Sequence, residues 1–201
     1  MASTYSALKI ELIATGEQSG TWGATTNVNL GTALEEAIVG RANAVFASDA
    51  DLTITLTNVN TTQVARNYIL NVTSGVSLST TRNLIVPTIN KPYVVENNTT
   101  GAQSIVVKTS AGTGVTVPNG KTVMVYADGT DVVAAFDYAP ALSLGTDLAV
   151  ADGGTGASDA ATARTNLGLG TISTQAANNV SITGGSITGI TDLAVADGGT
   201  G

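Results

Sequence analysis

Two of the side chains that most often do chemistry in proteins are missing from this sequence, which has no His and no Cys. Without His it lacks the commonest general base and the commonest zinc ligand. Without Cys it lacks thiolate nucleophiles, disulfides, Fe–S clusters and thiolate metal sites. What remains is acidic, 15 Asp+Glu against 8 Lys+Arg, for a formal charge of −7. A pair of carboxylates at the proper separation can hydrolyse a glycoside, but spacing singles out no pair here. Glu35-Glu36 falls within a helical pattern and reads as its solvated face. Gly120-Lys121-Thr122 ends like a phosphate-binding loop, which needs a glycine where Val115 stands; Gly114 comes one residue too early. Pro118-Asn119-Gly120 therefore reads as a hairpin turn.

Gly153-Gly154-Thr155-Gly156-Ala157-Ser158-Asp159 has the flavour of a calcium-binding nonapeptide turn. It sets two residues rather than one between the last glycine and the Asp, and it does not recur every nine residues. A flexible turn leading into a helix is the plainer reading, with a cation shared by Asp152 carboxylates of neighbouring chains as the alternative. Asn71-Val72-Thr73 fits the glycosylation pattern by chance in a Thr-rich chain. These residues predict no catalytic group, no cofactor and no metal. The acidic balance predicts no nucleic-acid partner, because phosphate binding needs a basic face. No run approaches the ~18 consecutive apolar residues of a membrane span, and no basic and apolar leader opens the chain.

The elements that would carry any site follow from periodicity. Tyr5 to Ile13 alternates weakly and predicts a half-buried strand, followed by a polar loop over residues 15–23 that holds Trp22, the only tryptophan. Trp22 is either a packing anchor or a hot spot for a partner. Leu30, Ala33, Leu34, Ala37 and Ile38 repeat at helical spacing, which predicts an amphipathic helix with Thr25, Thr26 or Asn27 at its start and a left-handed Gly40 at its end. From Phe46 to Tyr138 about eight short runs alternate aliphatic and polar residues, as in Leu52, Ile54 and Leu56 against Thr53, Thr55 and Thr57. Asn119-Gly120 and Asp128-Gly129 predict tight hairpins and a closing meander. The spacing predicts a mainly β fold, an antiparallel β-sandwich or jelly roll with one N-terminal helix.

Composition then divides the chain. All the aromatics, Tyr5, Trp22, Phe46, Tyr68, Tyr93, Tyr126, Phe136 and Tyr138, precede residue 139. Beyond it, apart from Asp147, Asp152, Asp159, Arg164, Asp192 and Asp197, the residues are small, hydroxylated, amide or aliphatic, too little bulk to close a core alone. This part also repeats: the 11 residues Thr146 to Gly156 recur unchanged as Thr191 to Gly201, a period of 45 residues. Such self-similarity marks units that bury their apolar surface only against neighbours. The second copy stops where the first continues into Ala157, so the natural chain is expected to run on. Ser158 is placed to cap a short helix that Gly168 ends. The boundaries predicted are 1–45 for a strand-loop-helix segment, 46–139 for the sandwich and 140–201 for an elongated fibrous repeat. In a parallel oligomer Leu148, Val150, Leu167, Leu169, Val180, Ile182, Ile187 and Ile190 would line a shared axis.

The opening Ser3-Thr4-Tyr5-Ser6-Ala7-Leu8-Lys9-Ile10-Glu11-Leu12, continuing through Gly20-Thr21-Trp22-Gly23 to Asn27, Asn29, Leu30 and Leu34-Glu35, resembles the N-terminal region of tail-fibre proteins of tailed bacteriophages, cyanophages especially. Val150-Ala151-Asp152-Gly153-Gly154-Thr155-Gly156-Ala157-Ser158, with residues 161–170, is similar to the repeat of phage fibre shafts, and Ile182-Thr183-Gly184-Gly185-Ser186-Ile187-Thr188-Gly189 to its companion. The resemblance implies a homotrimeric virion protein, neither enzyme nor cofactor-dependent. Its N-terminal region would dock on the tail or baseplate, with Tyr5, Trp22, Glu35 and Glu36 as interface candidates, and a distal part outside this sequence would bind the host receptor. An alternative is a carbohydrate-binding or capsid or neck decoration module, for which exposed Tyr68, Tyr93 or Tyr126 on a sheet face would be the platform. A glycan depolymerase spike is the third possibility.

Overall fold

β-branched and aliphatic residues alternating with threonine and asparagine need one dry face, and two sheets provide it by facing one another. A computed structural model of the chain describes residues 2–136, 138, 146–150, 154–176 and 184. Residues 1–139 and 140–201 are two separate units. The protein is mainly β, with three sheets and one N-terminal helix.

The first unit opens with a two-stranded hairpin, β1 (Thr4–Tyr5) and β2 (Glu11–Leu12). The continuous strand expected over residues 5–13 is broken by the turn between them, where the Lys9 N–H donates to Ser6 O and Lys9 takes φ 60°. The helix runs over residues 22–39 as α1 (Trp22–Val28), a π-wound middle (Asn29–Leu34) and α2 (Glu35–Val39). It starts before the threonines expected to cap it. The Thr21 and Trp22 N–H groups both donate to Gln18 O. Gly40 ends it in extended rather than left-handed backbone, φ −65° and ψ 143°. A Cβ there would lie 2.4 Å from Asn67 Oδ1 and 2.5 Å from Glu36 Cα, so a close approach, and not a positive φ, requires glycine.

Nine strands follow: β3 (Arg41–Phe46), β4 (Leu52–Thr53), β5 (Ile69–Ser74), β6 (Arg82–Ile85), β7 (Asn90–Asn97), β8 (Ile105–Lys108), β9 (Gly114–Val117), β10 (Thr122–Asp128) and β11 (Val132–Ala134). One sheet has the order β11-β10-β7-β5-β3 and the other β4-β6-β8-β9. Between them lie Phe46, Leu70, Val72, Tyr93, Val95 and Val125 from the first sheet and Leu84, Ile105, Val107 and Val117 from the second. Among the described residues every buried side-chain nitrogen or oxygen has a hydrogen-bond partner.

The antiparallel sandwich or jelly roll is corrected by the pairing. In these two sheets β3 and β5, β5 and β7, β4 and β6, and β6 and β8 are all parallel, while β8 with β9, β7 with β10 and β10 with β11 run antiparallel. From β3 to β8 each strand lies in the opposite sheet from the one before, so the chain winds as three stacked rungs before hairpins close the end. The connections span the ~10 Å between sheets instead of folding a strand back on its neighbour. Asn119-Gly120, with Gly120 at φ 71°, likewise carries the chain from one sheet to the other, so only β10 and β11 form the expected terminal hairpin. Alternation of in and out is the same for both pairing directions, which is why it does not reveal them.

In the second unit α3 (Ala160–Asn166) is capped by Asp159, not Ser158: its Oδ1 accepts from Ala161 N at 2.9 Å and Thr162 N at 3.0 Å. Gly168, at φ 69°, ends it as expected. No helix among the described residues is long and apolar enough to cross a membrane.

Candidate docking surface

An amphipathic helix on a globular body normally turns its apolar stripe inward. The helix of residues 22–39 does the reverse. Asn29, Ala33 and Glu36, at positions i, i+4 and i+7, face the body and are buried, while Leu30 (57% exposed), Leu34 (38%) and Ile38 (60%) face out, joined by Trp22 and Val39.

Polar bonding holds it that way. The Asn29 side chain pairs with the backbone of Glu11, accepting its N–H at 3.1 Å and donating to its carbonyl at 2.8 Å. Gln18 donates to Glu11 Oε1 at 2.5 Å and accepts from the Thr25 hydroxyl. The Glu36 carboxylate accepts from the Gln63 N–H and, at 3.1 Å, from Arg66 Nη1. Arg66 is fully buried and is the hub. Nε donates to Leu8 O, Nη1 also to Asn60 O and Thr61 O, and Nη2 to Lys9 O and Val59 O. Burial lowers its pKa and the Glu36 carboxylate opposes the shift. One guanidinium thus joins the hairpin turn, the helix and the loop before β5.

Glu36 is therefore corrected as a docking candidate: its carboxylate is occupied within the fold. Glu35 and Trp22 are exposed, and Tyr5 is half-buried in the hairpin. Of the tyrosines, Tyr93 belongs to the core, its hydroxyl donating to Ala65 O, and Tyr68 is half-buried. Burial raises the Tyr93 pKa, and it pushes that of the neighbouring Lys91 down to about 8. The Lys91 ammonium donates to Asn67 O and Pro92 O and sits 4.1 Å from the Tyr93 ring centre. Tyr126 alone of the three is exposed, on the outer sheet face opposite Pro92 and Val133. On the same face the Asn98 and Asn71 amides donate in series, Asn98 to Asn71 and Asn71 to Asn43.

A cleft of about 360 Å³ at the ends of β4 and β6 is lined by Lys9, Thr53, Thr55, Ile85, Thr88 and Ser110. It presents hydroxyls and one ammonium, but no carboxylate to pair as acid and base. Asp49 lies elsewhere; bonds from Arg82 and Ser79 hold it well below the usual carboxylate range, as part of a clamp between loops. Among the described residues no three acidic side chains gather as a metal site.

In the second unit the repeat folds back on itself. Gly154 N–H donates to Ala149 O, Gly156 N–H to Leu148 O, and the Asn166 amide to Thr155 O and Gly156 O. A Cβ on Gly154 would lie 2.2 Å from Leu148 O. Around this frame Leu148, Val150, Leu167 and Leu169 are each 44–51% exposed. Val180, Ile182, Ile187 and Ile190 lie outside the described residues.

Periodicity correctly located the helix and missed which of its stripes is buried. The signal was present in the Asn29-Ala33-Glu36 spacing, but hydropathy favours the other stripe. No family model, curated protein or solved structure gives a significant match to this chain.

Proposed function

We propose that this chain is a structural virion protein, the attachment end of a bacteriophage tail fibre. Residues 1–139 dock on the tail or baseplate, and residues 140 onward begin a homotrimeric shaft whose distal part carries host recognition. The role is mechanical and adhesive rather than catalytic. The observation that carries this reading is the repeat unit: its backbone is well hydrogen-bonded, yet Leu148, Val150, Leu167 and Leu169 around it are each about half exposed. Apolar groups on a closed frame gain only by contact with other chains. Fold alone assigns no function, so the particle decides. Electron cryo-microscopy of the intact virion is expected to join this chain to the tail; density on the capsid face would overturn the reading.

A second reading, a carbohydrate-binding or decoration module, is favoured by Tyr126 standing exposed on the same outer sheet face as the amide series Asn98-Asn71-Asn43. Glycan binding by the chain that Tyr126→Ala abolishes would support it.

A further inference from the structure

The cleft at the ends of β4 and β6 exists because a proline stops their ladder. In this parallel pair the Ile54 N–H donates to Ile85 O at 2.9 Å, and the next bond, back to Ile54 O, falls to residue 87. Pro87 has no N–H to give. The two chains part there. Pro87 O accepts from the Ile89 N–H instead, and the Leu56 N–H, next on the same side of its strand, has no partner among the described residues.

The opening of about 360 Å³ is lined by polar side chains that the fold leaves unused. The Lys9 ammonium and the hydroxyls of Thr53, Thr55, Thr88 and Ser110 make no hydrogen bond or ion pair with any described residue. Lys9 is also held in a conformation uncommon for lysine, φ 60°. Its N–H donates to Ser6 O and its carbonyl accepts from the buried Arg66, so the interior network fixes the residue whose ammonium lines the cleft. In a chain with 15 acidic residues against 8 basic ones, none of the described carboxylates pairs with it. The rest of the lining is aliphatic, with Ile54, Leu56, Ile85 and Ile89, and contains no aromatic ring.

We propose that this cleft binds a carboxylate carried on a short aliphatic body. The carboxylate takes the Lys9 ammonium, with the Leu56 N–H and the hydroxyls as further donors, and the body covers Ile54, Ile85 and Ile89. Its chemistry selects that class. A single ammonium balances a single negative charge, whereas a multiply charged phosphate would meet the field of a −7 chain with one cation. A neutral sugar would find no ring to stack on and would leave the ammonium without a counter-charge. An aliphatic body gains by covering aliphatic side chains, and the cleft has the size of small-ligand sites. Free short-chain acids and the terminal Val, Leu or Ile of a peptide both carry this group. The site lies within the first unit and owes nothing to oligomerisation, so it stands apart from the fibre reading.

Methyl NMR titration of the full chain tests this with isocaproate and acetyl-glycyl-leucine as probes. Both are expected to shift the Ile54, Ile85 and Ile89 methyls to saturation, while isocaproamide and inorganic phosphate bind roughly tenfold more weakly or worse. Lys9→Met is expected to weaken both acids about tenfold and to erase the preference for acid over amide. Its melting temperature should match the wild type, because the ammonium makes no bond in the fold, and Lys121→Met, outside the cleft, should bind as the wild type does. Tighter binding of the dipeptide assigns the ligand to a chain terminus, and tighter binding of isocaproate assigns it to a free acid. No saturable shift with either acid, equal binding of acid and amide, or undiminished binding by Lys9→Met would overturn the proposal.

Discussion

Both units of the chain contain aliphatic side chains at regular spacing, and they place them on opposite sides of the backbone. In residues 41–134 the strands send Phe46, Leu70, Val72, Leu84, Val107 and Val125 between two sheets, where water does not reach. In the second unit the Gly154 and Gly156 N–H groups and the Asn166 amide close the backbone while Leu148, Val150, Leu167 and Leu169 stay exposed. Backbone order and apolar burial are thus separable. Where the frame is short and closed by polar bonds, little hydrophobic burial is needed to hold it.

Four measurements would break or sharpen this contrast. The largest effect is expected in the first unit from Arg66→Met, which removes a charged donor from the Glu36 carboxylate and from five backbone carbonyls. Urea unfolding should show a loss of about 3–5 kcal/mol. Next, Leu70→Ala is expected to cost about 2–5 kcal/mol, whereas Leu167→Ala in the dilute chain should stay within about 0.5 kcal/mol. Equal costs would erase the distinction between the units.

Third, the first unit alone should carry an alkaline stability profile. Lys91 titrates at about 8 in the fold and at ~10.4 when unfolded, so the unfolded chain binds more protons in that window. Stability then rises with pH from about 8 toward 10, by up to about 2 kcal/mol. Above ~10 the rise reverses, because buried Tyr93 keeps its proton after the unfolded phenol has lost it. Lys91→Met should flatten the rising limb. The smallest effect belongs to the second unit. Bonds from Thr162, side chain first and then the backbone N–H, hold the Asp159 carboxyl below its usual value. Its stabilisation of α3 is complete above the unfolded carboxyl pKa and fades as pH falls through the folded one. Asp159→Ala should reduce helicity and its acid dependence while urea unfolding of the sheets is unchanged.

The strands were legible because alternation of Leu52-Thr53-Ile54-Thr55 type forces one face inward whatever the partner. Pairing direction was not, since Ile69 faces outward equally well beside a parallel Arg41 or an antiparallel neighbour. In the helix, the turns around Leu30 to Ile38 could be read, but not its earlier start at Trp22, which the polar residues before it made look like loop, nor that Trp22 is exposed rather than a packing anchor. The burial of Glu36 could not, because its partner Arg66 lies 30 residues later and nothing local announces the pair. Such long-range polar pairs override the apolar periodicity of a helix when one carboxylate and one guanidinium together satisfy a whole interface.

Arg66 also gives the molecule a direction in time. Leu8, Lys9, Glu36, Val59, Asn60 and Thr61 all precede it in the chain. The parallel rungs obey the same rule: β5 lays itself on β3, β7 on β5, β6 on β4 and β8 on β6, and β9, β10 and β11 add to strands already made. Emerging from a ribosome at ~5–20 residues per second, the chain would meet each partner already waiting. The hairpin and helix would lock once Arg66 clears the exit, and the sheets would then grow in the order of synthesis.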